Sequence, residues 1–259
     1  MNEYEDIKLP DWNRYFPREL EYYTNTSRRD LFCRFKLSQI YQDYCLARTN
    51  CIFADSRTDY GDLDYKGMNK EWLRKMFLQN ALVYFNICVD LSWVMVYFFC
   101  VIDNNSNLKI SQNEIDEMEK NVRERTLYKE LDKKINSANG ADKTMYQNLK
   151  DLIEDFMENR IPENFRDDYN ELKHRKTFNI IGVPQDQVSS FNNSNILVLE
   201  NKEFDIDKYS SKMKEFAKAF CDYIDEIIEL IVKPNYDEKK VQETTLDEVM
   251  NNILNNSNW

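Results

Sequence analysis

Apolar side chains recur at three- and four-residue steps over three long stretches of the chain, 27–53, 68–103 and 210–232. At 3.6 residues per turn this spacing collects them on one face, so each stretch is predicted to be helical. The most regular stripe consists of Met213, Phe216, Ala217, Phe220, Ile224, Ile227, Ile228 and Ile231. Pro234 follows it and should end that helix, because proline has no backbone N–H donor.

Shorter helices are predicted from their start signals. A capping box at 111–114 predicts a charged helix that continues to about residue 135. Asp142 is suited to cap the next helix, which carries a single apolar stripe. Pro162 suits the first position of a short helix that runs toward His174.

Three other segments are less regular. Residues 1–26 contain two prolines and six aromatic residues, which predicts an irregular arm that packs through its rings. Residues 178–200 place apolar runs on both sides of a polar loop, and this pattern fits either a small β-hairpin or a packed loop. A capping box at 245–248 predicts a short C-terminal helix.

Glycine and proline are scarce, with four and five residues among 259. Sheets need many tight turns and phosphate-binding loops need clustered glycines, so this scarcity favours long helices. No glycine belongs to a G-x-G-x-x-G or G-x-x-x-x-G-K pattern, which excludes Rossmann and P-loop nucleotide sites. We predict an all-α bundle of six or seven helices, with residues 27–259 as one helical domain after the arm.

The six cysteines include no C-x-x-C pair, and the chain has a single histidine. Buried reduced thiols of an intracellular protein are therefore a better interpretation than a disulfide framework or a zinc site. No metal and no cofactor are expected. The acidic N-terminus has the pattern of neither a signal peptide nor a transit peptide.

Residues 81–102 are long enough to cross a membrane, since a spanning helix needs about 20 apolar residues. Asn86, Asp90 and Ser92 interrupt this run, and no second span follows it. A central helix buried on all sides of a bundle is the preferred interpretation. The expected location is cytoplasmic, with no membrane partner.

The net charge of −11 argues against binding of nucleic acid by the whole surface, so any such contact needs a local basic patch. Residues 165–178 are the best candidate, because they hold the only histidine, His174, among cations suited to phosphate. These cations are Arg166, Lys173, Arg175 and Lys176. In a helix, Asp167 and Asn170 share a face with His174, where they would fix the tautomer and orientation of its imidazole.

This assembly suits metal-independent cleavage of RNA. A base takes the proton of a ribose 2′-hydroxyl, which attacks the adjacent phosphorus, and a guanidinium offsets the charge that grows on the phosphoryl oxygens. His174 is the candidate base or acid, Arg166 the candidate phosphate clamp, and Asn170 or Asp167 the orienting group. A solvated helix face with an ordinary helix-end histidine is the alternative that spacing alone leaves open.

The order Arg166, Asp167 and then His174 at a helix end, between amphipathic helices, resembles the HEPN superfamily (higher-eukaryote and prokaryote nucleotide-binding). The sequence that follows, HRKTFNIIG, a loop, NILVLE and the helix 211–232, looks like bacterial and phage-defence branches of that group, over about 68–232. The resemblance implies an all-α, often dimeric fold. Many such proteins are metal-independent ribonucleases of toxin–antitoxin and abortive-infection systems, with Arg and His paired across the dimer. The gap between Arg166 and His174 is longer than usual there.

Arg166 and His174 would lie about 12 Å apart along one helix, whereas groups that act on one phosphate must approach it to about 3 Å. A two-fold axis beside this helix would bring Arg166 of one chain to His174 of another. We therefore expect a homodimer with residues 162–178 at or beside the interface, an RNA substrate, and an antitoxin or other defence protein as partner. The alternative is a non-catalytic helical module that acts through protein partners.

Overall fold

The computed structural model describes residues 9–19, 21, 27–55, 58–61, 70–102, 112–174, 179–180, 203–238, 245–247 and 250–251. Within these residues the chain forms seven α-helices and one pair of two-residue strands. The helices are α1 (Arg28–Phe53), α2 (Lys70–Val101), α3 (Gln112–Asn121), α4 (Glu124–Ser137), α5 (Gly140–Asp155), α6 (Phe165–His174) and α7 (Ile206–Ile227). The predicted all-α fold with six or seven helices is confirmed.

The three longest helices occupy the stretches with the most regular apolar spacing. α1 and α2 agree with the predicted stretches to within a few residues, and α7 begins earlier than predicted, at Ile206. Ile206 and Tyr209 are both buried, so they extend the apolar stripe of α7 toward its start. After α7 the chain continues as a π-helical turn, Ile228–Val232, and a 3-10 turn, Lys233–Asn235, that contains the predicted terminator proline.

The charged segment predicted as one helix over 111–135 forms two helices, so that prediction was wrong. α3 and α4 are separated by Val122 and by Arg123, which has an extended backbone with φ −140° and ψ 162°. Val122 packs against a buried cluster formed by Val94, Phe98 and Ile102. Leu127 and Leu131 of α4 are fully buried, so tertiary packing overrides the uninterrupted helical pattern. The residue expected to cap this segment lies outside the described residues.

Two short strands, β1 (Asn179–Ile180) and β2 (Glu203–Phe204), are described near the segment for which the sequence fits either a small hairpin or a packed loop. They pair in parallel, with Asn179 opposite Glu203 and Ile180 opposite Phe204. The arms of a β-hairpin are antiparallel, so these strands are not the arms of the hairpin predicted for 178–200. Apolar runs carry no information on strand direction. Residues 181–202 lie outside the described residues, so a small hairpin and a packed loop over 178–200 both stay predictions.

The chain packs into two compact units, each assembled from separated segments. Unit 1 comprises Met1–Leu9, Asp43–Asn86 and Asn159–Ala219. Unit 2 comprises Pro10–Gln42, Ile87–Glu158 and Phe220–Trp259. Neither unit is continuous in sequence. A change of composition along the chain therefore does not show where one unit ends and the other begins.

Aromatic rings form the centre of unit 1. Phe216 of α7 is fully buried and stacks on Phe165 of α6, with ring centroids 4.3 Å apart and planes 6° apart. Phe216 also contacts Phe85 of α2 at 4.9 Å, and Phe85 contacts Tyr44 of α1 at 6.0 Å. Ring pairs at these distances stabilise by about 0.5–1.5 kcal/mol each beyond the area that they bury. The stack therefore fixes α6 to α7.

Unit 2 has an aromatic centre of its own. Phe156 and Tyr223 stack with ring centroids 4.1 Å apart, and the Tyr223 hydroxyl lies 3.2 Å from Oγ of Ser92. Burial raises the pKa of Tyr223 well above its ordinary value, so the hydroxyl stays neutral and shares this hydrogen bond. Ser92, which interrupts the apolar run of α2, is thus a satisfied polar residue of the core.

The N-terminal arm packs through its rings where the structure describes it, as predicted. Trp12 and Tyr15 lie in a 3-10 turn, Trp12–Tyr15, and are 1% and 4% exposed. Nε1 of Trp12 donates to Oδ1 of Asp225 at 2.7 Å, and its ring contacts that of Phe220 at 6.4 Å. Three further aromatic residues of the arm lie outside the described residues: Tyr4, Tyr22 and Tyr23.

α2 is, among the described residues, the one helix long and apolar enough to cross a membrane by length and composition. Of its most apolar 18-residue window, 67% is buried within the protein. Asn86 and Ser92 within it are fully buried as well. The helix is therefore mostly buried within the protein, but it is not buried on all sides as its sequence predicts.

All six cysteines are thiols rather than disulfides. Four of them are at most 1% exposed, namely Cys33, Cys51, Cys88 and Cys100, while Cys45 and Cys221 are partly exposed. Burial raises the pKa of the Cys33 and Cys51 thiols, and it raises that of Cys100 to about 12. The thiolate is the reactive form, so these buried groups should be inert near neutral pH.

A thiol reagent at neutral pH is expected to label Cys45 and Cys221 quickly in the native protein and all six cysteines in denaturant. Mass mapping of the labelled peptides measures this directly. Rapid native labelling of Cys33 or Cys51 would contradict the packing described above.

Candidate functional site

α6, which carries the predicted site, begins after a tight turn. Asn164 has a positive φ of 62°, a left-handed conformation that asparagine tolerates better than most residues. The N–H of Phe165 donates to the carbonyl of Pro162 at 3.0 Å, and the N–H of Asp168 donates to the carbonyl of Asn164 at 2.8 Å. The predicted helix toward His174 is confirmed, but it begins at Phe165 rather than at Pro162.

One face of α6 is anchored in the core of unit 1. Phe165, Asp168 and Tyr169 are 1%, 1% and 9% exposed. Phe165 stacks on α7, and the buried Asp168 carboxylate accepts a short hydrogen bond from the Tyr209 hydroxyl of α7. Both contacts reach the same neighbouring helix, so the orientation of α6 about its own axis is fixed.

Lys212 of α7 adds charge compensation to this anchor. Its Nζ lies 3.7 Å from Oδ2 of Asp168 and donates to the carbonyl of Glu163 at 2.8 Å. A buried carboxylate is costly unless it is paired and hydrogen-bonded, and Asp168 is both. The sequence predicted no role for Asp168. Asp168 lies three positions after Phe165, so helix geometry places both on one face, and this spacing could have predicted that Asp168 is buried.

The opposite face of α6 is directed outward. Asp167 and Asn170 are exposed, as is Lys173, whose Nζ lies 5.7 Å from the centre of the Tyr169 ring. Of the three residues predicted to share a face, Asp167, Asn170 and His174, the first two are therefore accessible to solvent. His174 is the last residue of α6. Its side chain lies outside the described part of the chain, as do Arg175 and Lys176.

Arg166, four positions before Asn170, lies at the flank of the exposed face of α6. It is half-buried, and its Nη1 donates to Oδ1 of Asn86 in α2 at 2.9 Å, with the Asn86 carbonyl oxygen at 3.4 Å. The predicted phosphate clamp is therefore held by a buried amide. Sequence reasoning noted Asn86 only as an interruption of an apolar run, and a polar residue at such a position was the signal for a polar partner.

The length of α6 limits what one chain can do alone. Arg166 and His174 are eight positions apart, which corresponds to about 12 Å of helix rise. At this separation, Arg166 and His174 of one helix do not both reach the same phosphate as neighbouring side chains would. α6 therefore carries two exposed polar side chains, Asp167 and Asn170, and the guanidinium of Arg166 bonded to Asn86. A basic stretch of sequence, Arg175 and Lys176, follows its last residue.

Among the described residues, no group of three or more histidine, cysteine, aspartate or glutamate side chains is placed to hold a metal ion. Comparisons with protein-family models, curated proteins and solved structures found no match. The resemblance to the HEPN superfamily therefore stays a prediction from the residues that carry it, Arg166, Asp167 and His174 above all.

Proposed function

We propose that this chain is a metal-independent, RNA-cleaving protein of HEPN type that acts in a toxin–antitoxin or antiphage system. The observation that supports this best is the two-faced character of α6. Its buried face is anchored through Phe165 and Asp168, while Asp167 and Asn170 stay accessible on the face that leads to His174. Reactive groups act best from rigid elements whose own position is fixed by packing.

The proposed chemistry is an internal transfer within RNA. His174 takes the proton of a ribose 2′-hydroxyl, and the 2′-oxygen bonds to the adjacent phosphorus. The bond from phosphorus to the 5′-oxygen breaks as that oxygen takes a proton from water, and the protonated His174 then releases its proton to solvent. Arg166 offsets the charge on the phosphoryl oxygens, and Asn170 or Asp167 orients the imidazole. The RNA backbone is held by the cations Lys173, Arg175 and Lys176.

A second function is favoured by the contact between Arg166 and Asn86. A guanidinium that cross-links α6 to α2 has a structural use that requires no substrate. The net charge of −11 also suits binding to proteins better than binding to nucleic acid. Under this alternative the chain is a non-catalytic HEPN-like module that acts through protein partners.

Expression in a bacterial host separates the two functions. We expect induction of the wild-type chain to slow growth and deplete RNA, and we expect His174→Ala, made to the same level, to abolish both effects. The matched control is Lys143→Ala, an exposed substitution in α5, which should behave as the wild type. Equal behaviour of the wild type and His174→Ala would favour the binding module.

The proposed enzyme is a homodimer with residues 162–178 at or beside its two-fold axis. Within one α6, Arg166 and His174 are about 12 Å apart along the helix. A two-fold axis beside α6 would place Arg166 of one chain close to His174 of the other. We expect light scattering at micromolar concentration to give twice the chain mass, and a charge-reversing substitution Lys173→Glu on the exposed face to reduce the dimer fraction. A monomer, or a dimer that Lys173→Glu leaves unchanged, contradicts this assembly.

A further inference from the structure

Two neighbouring side chains of α2 carry hydrogen-bond donors that have no acceptor. Lys75 and Gln79 are both partly exposed and lie four positions apart, so they are neighbours on the surface of the helix. Within the part of the chain that the structure describes, Lys75 makes no ion pair and neither end of the Gln79 amide is hydrogen-bonded. Nε2 of Gln79 is shielded from solvent all the same.

These unpaired groups are unfavourable for folding. Burial lowers the pKa of Lys75 below its ordinary value, because the ammonium loses water without gaining a carboxylate. The covered end of the Gln79 amide likewise loses water without gaining an acceptor. Arg74 shows the contrast, since it bonds to the carboxylates of Glu71 and Asp207. Polar groups that reduce stability in this way are typical of a binding site.

The third side chain of this surface is an exposed aromatic ring. Trp72 is 44% exposed, and no ring of the described residues stacks on it. It lies three positions before Lys75 and seven before Gln79, so all three share one face of α2. Sites for single-stranded nucleic acid combine a ring that stacks on a base with a cation that binds phosphate. An acidic peptide would need the cation and the amide but not the ring.

The same face of α2 continues to the candidate site on α6. Asn86 lies seven positions after Gln79, about 10 Å further along the helix, and it bonds to Arg166 of α6. Trp72, Lys75 and Gln79 therefore lie on the part of unit 1 that leads away from the α6 site. A strand bound at α6 has this face of α2 as a path.

We infer that Trp72, Lys75 and Gln79 form a second contact for single-stranded RNA, in which Trp72 stacks on a base while Lys75 and Gln79 bind the neighbouring phosphate. The inference rests on the proposed function, because α6 supplies the reaction and α2 only holds the strand. A half-turn about the last bond of the Gln79 side chain places its NH₂ group at the accessible end of the amide, where it donates to phosphate.

The test measures the affinity of a 2′-deoxy-substituted oligonucleotide, which cannot be cleaved, at several salt concentrations. Lys75→Met removes one phosphate contact, so the affinity should fall, and the slope of log affinity against log salt should become shallower by about 0.7. Gln79→Leu and Trp72→Ala should each lower the affinity by about tenfold with an unchanged slope. Trp72→Phe keeps a ring and should restore most of the loss.

Two control variants make comparable changes at exposed positions of unit 2. Lys143→Met and Phe35→Ala should alter neither the affinity nor the slope. Urea denaturation of every variant is the second measurement. Gln79→Leu removes an unpaired covered amide, so it should raise the urea midpoint while it weakens binding. An amide with a merely structural role would lower the midpoint when it is removed.

The inference is overturned by a wild type that does not bind the oligonucleotide, by wild-type affinity in Lys75→Met or Trp72→Ala, or by a lower urea midpoint in Gln79→Leu. A polyglutamate peptide that binds more tightly than the oligonucleotide overturns it in favour of an acidic protein partner. The proposed function is judged separately on a cleavable RNA. Cleavage that ignores all three substitutions overturns the inference alone, whereas binding that depends on them without cleavage overturns the function alone.

Discussion

Replacement of Arg34 by methionine is expected to lower the free energy of unfolding by about 3–5 kcal/mol, because it leaves a buried carboxylate without its cation. Arg34 and Glu21 are 3% and 2% exposed. The guanidinium donates to both carboxylate oxygens, at 2.6 and 2.9 Å, and its Nε donates to the Tyr15 carbonyl at 2.6 Å. Loss of Arg34 thus also weakens the attachment of the N-terminal arm.

Urea denaturation of three variants measures this effect. Arg125→Met is the matched control, since Arg125 is exposed and should cost no more than about 0.5 kcal/mol. The double variant Arg34→Met with Glu21→Gln removes both charges and should recover a large part of the lost stability. A cost for Arg34→Met equal to that of the control would show that the ion pair adds nothing to stability.

Phe216→Ala should cost about 3–5 kcal/mol, the range for removal of a fully buried aromatic side chain. Phe216 is completely buried and contacts Phe165 and Phe85 at centroid distances of 4.3 and 4.9 Å. The substitution removes the ring on which α6 stacks. It should therefore reduce any activity of the α6 site in addition to stability.

The control for Phe216→Ala is the same change at an exposed position of unit 2, Phe35, which is 41% exposed. Phe35→Ala should change the free energy of unfolding by about 0.5 kcal/mol or less. Chemical denaturation followed by circular dichroism compares the two. Similar costs for both substitutions would mean that the aromatic centre of unit 1 is not the packed core described here.

The long helices were predictable because their apolar spacing is dictated by burial on one face. α7 illustrates this, since Met213, Phe216 and Phe220 are all fully buried. The break between α3 and α4 was not predictable, because the packing of Val122 on residues distant in sequence decides it. The parallel pairing of β1 and β2 is likewise a long-range property that local patterns do not contain.

The candidate site was predictable only in part. Periodicity places Asp167 and Asn170 on one face, and the structure shows both exposed. Asp168 and Asn86 were missed, since their roles depend on Tyr209 and Arg166, which lie on other helices. The spacing of residues along one helix predicts which of them share a face. It does not predict which residues of another helix pack against that face.

The central claim, that the α6 site cleaves RNA without a metal, is tested most directly with purified wild-type protein and a radiolabelled RNA in excess chelator. The proposed chemistry predicts products with a 2′,3′-cyclic phosphate and a 5′-hydroxyl. It also predicts that His174→Ala, with unchanged unfolding, reacts about 10²–10⁴ times more slowly, the usual contribution of a general acid or base. Absence of cleavage by the wild type, or equal rates for wild type and His174→Ala, would contradict the claim.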